Sequence, residues 1–248
     1  MVGKILARGL FAGLLAALLA FTFARLAGEP LVDRAIAFES NHAAHGHRHE
    51  SAPQGAVEEE AVSRSTQAGL GLLSGVLVYG TALGGLFALA YAFAQGRLAR
   101  LRPRALALVL ALGAFVVLAL VPALKYPANP PAVGNAQTIG LRTALFFGML
   151  ALSLCAALCG VVARRHALAR GDAWYATLVG IAVYIGVVGL AQSLLPTIDE
   201  VPHDFPAALL WHFRLNALGI QAILWLAIGL VFGCLSERAT QAPRPARG

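Results

Sequence analysis

Residues 105–124 read ALALVLALGAFVVLALVPAL, twenty positions without a single charged or hydrogen-bonding side chain. A spanning helix needs roughly 20 mostly apolar residues, because the hydrocarbon core of a bilayer is about 30 Å thick and a helix rises about 1.5 Å per residue. Arg102 and Arg104 precede the stretch and Lys125 follows it, so charge stands at both ends where two water interfaces would be. Outward from this run lie five more of the same kind, at 5–26, 68–95, 139–163, 173–195 and 206–235. The run at 68–95 is long enough to tilt.

The composition agrees. Of 248 residues, 58% are hydrophobic and 12% charged, with a mean hydropathy of +0.72. A soluble domain carries about 25% charged residues, so lipid must solvate most of this surface. The reading is an all-α integral membrane protein, a bundle of about six transmembrane helices. Residues 1–248 then form a single transmembrane domain, with 27–67 an extracytoplasmic loop rich in His and Glu and 239–248 a short cytoplasmic tail. The net charge of +7 and pI near 9.9 do not signal nucleic acid, because the basic residues sit in short clusters between apolar runs.

Those clusters set the expected orientation. Lys4, Arg8, Arg97, Arg100, Arg102, Arg104, Arg164, Arg165, Arg170, Arg238, Arg244 and Arg247 fall on one side, with only Asp172 and Glu237 as acids. The other side holds the remaining seven basic residues and ten acids. Positive-inside logic places both termini in the cytoplasm. The first run also has the charged start of a signal peptide, but its apolar length exceeds the 7 to 15 residues of a signal core. A retained helix is the favoured reading.

Gly9 and Gly13, Gly71 and Gly75, and Gly80 and Gly84 are small-xxx-small pairs that let helices approach closely, and packing within the bundle is favoured over dimerisation. Trp174 and Trp211 fall near membrane interfaces, while Trp225 lies deeper and is read as packing. Cys155, Cys159 and Cys234 lie inside apolar runs and are read as small packing residues.

The candidate chemistry is in the loops. His42, His45, His47 and His49 are followed by Glu50 and by Glu58, Glu59 and Glu60. Imidazole and carboxylate suit Co²⁺, Ni²⁺ and Zn²⁺; in an extended chain His45, His47 and His49 would project to one side. The other reading is a solvated loop with incidental metal affinity. Glu29, Asp33 and Glu39 precede this tract, and solvation alone would account for them.

A second acid and imidazole cluster, Asp199, Glu200, His203 and Asp204, precedes the last run. Asp204 could equally cap a helix whose first turn holds Pro206. His212 and Asn216, four apart on one helix face, are expected to turn toward the bundle interior, because a polar stripe is costly against lipid. Between Lys125 and Arg142 lies a proline-rich stretch expected to be extended and stiff. The two flanking cations either snorkel to the interface or pair with acids of the other loops to shape a vestibule.

No P-loop, HExxH or GxSxG motif is present, so neither an enzyme nor a resident cofactor is expected. The metal-ligand candidates are His42, His45, His47, His49, Glu50, Asp199, Glu200, His203, Asp204 and His212.

These segments resemble a known family, the CbtA-type cobalt transporter subunits of bacteria. The resemblance rests on GEPLVDRAIAFE (28–39), the His/Glu loop, VSRSTQAGLG (62–71), LVPALKYPANPPAVG (120–134), TIGLRT (138–143) and LPTIDEVPHDFPAALLWHFR (195–214), spread in order over nearly the whole chain. It implies uptake of a divalent metal, Co²⁺, linked to cobalamin synthesis. It also implies a very small one-helix membrane partner, CbtB, with histidines of its own, and no nucleic acid. The alternative is a non-transporting, metal-binding or scaffold membrane subunit.

Overall fold

The computed structural model describes residues 2–46, 63–97 and 101–241. Among them there is no strand. Six helical rods are long and apolar enough to cross a membrane: Val2–Asn41, Arg64–Ala94, Pro103–Lys125, Ala136–Leu168, Ala173–Leu194 and Ala207–Gln241. Each contains the core of one expected run. A helix satisfies its backbone hydrogen bonds internally, which is why an apolar chain of this composition resolves into rods.

The first rod is longer than expected. Helix α1 (Val2–Phe23) passes through a π-helical turn, Ala24–Gly28, into α2 (Glu29–Gly46). Residues 29–46, expected as part of a loop, are therefore helical. Leu31 and Ala35, four apart, are both buried and give the segment an apolar stripe to pack. Pro30 would break a regular helix, since it lacks an N–H and crowds the preceding turn. The wider π turn just before it takes up that misfit. The same device recurs in the third rod, where α5 (Pro103–Ala114) runs through a π-helical segment, Phe115–Leu120, into α6 (Val121–Lys125), with Pro122 just beyond.

The chain divides into two compact units, residues 1–113 with 215–248, and residues 114–214. In the first, α1 packs on α4 (Leu72–Ala94), which follows the short α3 (Arg64–Thr66) and a π turn, Gln67–Gly71. Gly9 and Gly13 meet Gly80 and Gly84 backbone to backbone: a Cβ on Gly84 would lie 2.7 Å from Gly13 Cα. Two of the three expected small-residue pairs thus pack within the bundle. The third does not: a Cβ on Gly75 would have nothing within 4 Å, and one on Gly71 would meet only Thr66 of its own helix. The carboxyl-terminal part of α9 (Ala207–Gln241) completes this unit. Phe232 sits edge-on to Phe87 and Tyr91, with ring centroids 5.3 and 4.8 Å away, and Arg104 pairs with Glu237. Trp225 is buried, as expected, while Trp174 and Trp211 are exposed.

The second unit holds the end of the third rod, α7 (Ile139–Leu168), α8 (Ala173–Leu194) and the start of α9. Asp172 caps α8 by accepting the Tyr175 N–H at 2.7 Å. Gly160 and Gly180 bring α7 and α8 into backbone contact. Val121, Tyr126 and Met149 form its core, with Phe146 and Val188 packed around them. The cysteines depart from expectation: Cys155, Cys159 and Cys234 are all exposed. An apolar side chain loses nothing by facing lipid, so hydrophobicity alone does not assign it to the interior.

Candidate functional site

In the second unit, the segment after α6 and the segment before α9 are tied together through one carboxylate. Glu200 Oε2 accepts the Asn135 N–H at 2.8 Å and the Thr138 hydroxyl at 2.9 Å, and lies 3.5 Å from Arg142 Nε. The Asn135 amide, then the Thr138 hydroxyl, and to a lesser degree the Arg142 charge hold its pKa below the usual glutamate value, against partial burial. Arg142 also donates from Nη2 to the Asn135 carbonyl at 3.2 Å. It can do so because Gly134 stands beneath it: a Cβ there would meet the guanidinium carbon at 2.6 Å, and Gly134 has φ +113.

The proline segment is not extended throughout. It bends into a turn at Pro131–Gly134, with Val133 N–H donating to Pro130 O at 3.2 Å and Ala132 at φ +67. Its start is fastened by Tyr126, whose hydroxyl donates to Pro196 O at 2.8 Å and whose pKa burial raises. Lys125 Nζ donates to Gln192 O at 2.7 Å. So Arg142 pairs with an acid of a neighbouring loop, one of the two roles open to it, whereas Lys125 is held by a backbone carbonyl.

Of the acid and imidazole cluster, Glu200 is half-buried in its clamp, and Asp199, His203 and Asp204 are exposed. Asp199 acts electrostatically on Arg214 of α9, and Arg214 donates to Asn129 Oδ1 at 2.9 Å. His212 lies on an exposed part of α9 rather than in the packed interior that the polar stripe suggested; Asn216 is half-buried. Both interact with at least one other group.

His42 and His45 fall in α2, whose helix runs to Gly46, so the extended arrangement of the histidines does not hold at His45. His47, His49 and Glu50 lie outside the described residues, as do Glu58, Glu59 and Glu60. Below this segment, Arg64 pairs with Glu29 and, at 3.1 Å, with Asp33. Glu29 is 7% exposed, so the ion pair, not solvation, accounts for it. Among the described residues no three His, Cys, Asp or Glu side chains come together as a metal site.

Two polar features are not evident from the sequence reading. Arg214, a cation within an apolar helix, carries a signal in its position alone. The other lies deeper. Ser153 has no exposed surface; its hydroxyl donates to Val117 O at 2.7 Å and lies 3.1 Å from the Tyr184 hydroxyl.

Residues 2–237 match the family described as "Probable cobalt transporter subunit (CbtA)". The chain belongs to the CbtA family. No curated protein and no solved structure matches it. With six apolar helices and this membership, it is a multi-pass membrane protein. Several segments that carry the CbtA resemblance are those that build the clamps: residues 28–39 supply Glu29 and Asp33, 120–134 supply Tyr126, Asn129 and Gly134, and 195–214 supply Glu200 and Arg214.

Proposed function

We propose that this chain is the membrane subunit of a divalent-metal uptake system whose cargo is Co²⁺, serving cobalamin synthesis in the bacterial inner membrane, with both termini cytoplasmic. The observation that carries the reading is the family match over residues 2–237. The segment bearing His42, His45, His47, His49 and Glu50 collects the ion outside. Its charge and imidazole content suit a borderline cation, and the Arg64 bridge to Glu29 and Asp33 ties the helix before the segment to the one after it. Asp199, His203 and Asp204, exposed beside the start of α9, receive the ion next, with Glu200 holding the surrounding loops and the helix face of His212 and Asn216 leading inward. A small one-helix subunit with its own histidines, CbtB-like, completes the system, and no enzymatic step is involved.

A second reading is a non-transporting metal-binding or scaffold subunit that delivers the ion to another channel. It is supported by the lack of any Asp or Glu within the six apolar runs, which leaves a divalent ion without a carboxylate relay across the membrane.

The test is radioactive cobalt uptake at limiting cobalt in cells lacking other importers. It compares no chain, the chain alone, the chain with its small partner, a His212→Leu version, and a version with His42, His45, His47 and His49 changed to alanine. Uptake that requires the chain and falls in the alanine version supports the importer. Uptake indifferent to His212→Leu but lost with the histidine segment supports the scaffold. Uptake unchanged by removing the chain overturns both.

A further inference from the structure

The third rod contains a carbonyl that its own helix cannot satisfy. In the π-helical segment Phe115–Leu120 the backbone bonds reach five residues back, as the Val121 N–H does to Val116 O. The next donor in that register, for Val117 O, would be the amide of residue 122. Residue 122 is proline and has no N–H. The fully buried Pro122 therefore frees a carbonyl deep in an apolar rod, and Ser153 Oγ and Tyr184 Oη gather beside it.

In a bilayer centred on these helices, the two hydroxyls would lie near the midplane. Ser153 is in the middle of the 30-residue α7 and Tyr184 in the middle of the 22-residue α8. Ser153 is about 21 Å along its helix at 1.5 Å per residue. Midplane sites built from interrupted helices with freed carbonyls are a general way of holding a cation in lipid. Ser153 Oγ lies 2.7 Å from Val117 O and 3.1 Å from Tyr184 Oη, the spacing of a hydrogen-bonded chain, which an entering ion would have to break.

We propose that Val117 O, Ser153 Oγ and Tyr184 Oη form a midplane station for a partly hydrated divalent cation in transit. This rests on the uptake reading above. Three neutral oxygens bind such an ion weakly, which suits a station an ion must leave, and water fills the other coordination positions. Ser153 has no exposed surface, so admitting an ion requires local movement of the helices around it.

The competing explanation is that Ser153 only caps the orphaned carbonyl. The two part company at two positions. A cap needs Ser153 alone, so Tyr184→Phe should then be silent. Pro122→Ala restores a backbone N–H for Val117 O, which a structural account makes harmless and the station cannot tolerate. The experiment measures uptake of Co²⁺, Mg²⁺, Mn²⁺ and Cd²⁺ in cells lacking other importers, with membrane abundance read for each full-length variant. Expected are losses of at least about tenfold in Co²⁺ uptake for Tyr184→Phe and Pro122→Ala, the scale of losing a group that supports a bound metal, at unchanged abundance. Ser153→Cys should shift preference toward Cd²⁺, because a thiolate is a soft ligand. Wild-type rates in the first two variants with unaltered selectivity in the third overturn the station and leave the uptake reading standing. No uptake of any ion by the wild-type chain with its partner overturns both.

Discussion

Arg142 of α7 reaches Glu200, in the segment before α9, with its Nε 3.5 Å from the carboxylate, and it does so across a glycine. The two residues hold together chain segments that proline content alone would leave independent. Their arrangement makes the loops at this end of the second unit one fastened body.

Glu200 sets a pH limit on that body. Its folded pKa lies below the ordinary value of 4.5, so its contribution is fully present above that value and is lost as pH falls through the folded one. Limited proteolysis of the detergent-solubilised protein should show the 127–142 and 195–206 segments protected from neutral pH down to the ordinary glutamate value of 4.5, and cut more readily only at more acid pH, once the carboxylate is protonated. Glu200→Ala should show the faster cutting at neutral pH.

Gly134→Ala should destabilise the same clamp. It places a side chain at φ +113 and under the Arg142 guanidinium. Strain of this kind costs about 1–3 kcal/mol, and thermal unfolding in detergent should register it as a lower midpoint. The nearby Ala132, at φ +67, should give the opposite result when changed to glycine.

The α1–α4 seam has no room for a side chain at Gly84. Gly84→Leu puts a bulky group where the Gly13 backbone stands, and the full-length protein should fail to accumulate in membranes. Gly75→Leu, at a position with open space around it, should accumulate like the parent. Quantitative membrane blotting distinguishes the two.

Arg64→Ala leaves Glu29 buried without its cation. Loss of a partner for a buried polar group costs about 1–3 kcal/mol. The lower end applies because the Arg64 side chain is 32% exposed. Hydrogen exchange should rise in α2 and α3 together, since the bridge is what joins them.

Much of the architecture is legible in the sequence. The 105–124 run and its five companions announce helices because lipid accepts only segments that satisfy their own backbone, and the Gly80 and Gly84 spacing announces a close seam. The extent of the first rod is not legible. Pro30 and the acids Glu29 and Asp33 read as the start of a loop. They are helical because a π turn absorbs the proline and Arg64, distant in sequence, neutralises the acids. The site is legible in part: Glu200 stands out as chemistry, yet nothing local to it names Asn135 or Thr138 as its partners.

The sequence by itself determined the solvent of this protein and the number of its spans, because transfer of apolar side chains into lipid is a sum over neighbouring residues and needs no partner. Tertiary structure alone decided which polar groups are paired. Ser153 is one serine in an apolar helix until folding sets it against Val117 O, whose own donor Pro122 has removed. Hydrogen bonds act over about 3 Å, and only the packing of α7 and α8 against the third rod brings these oxygens within that distance.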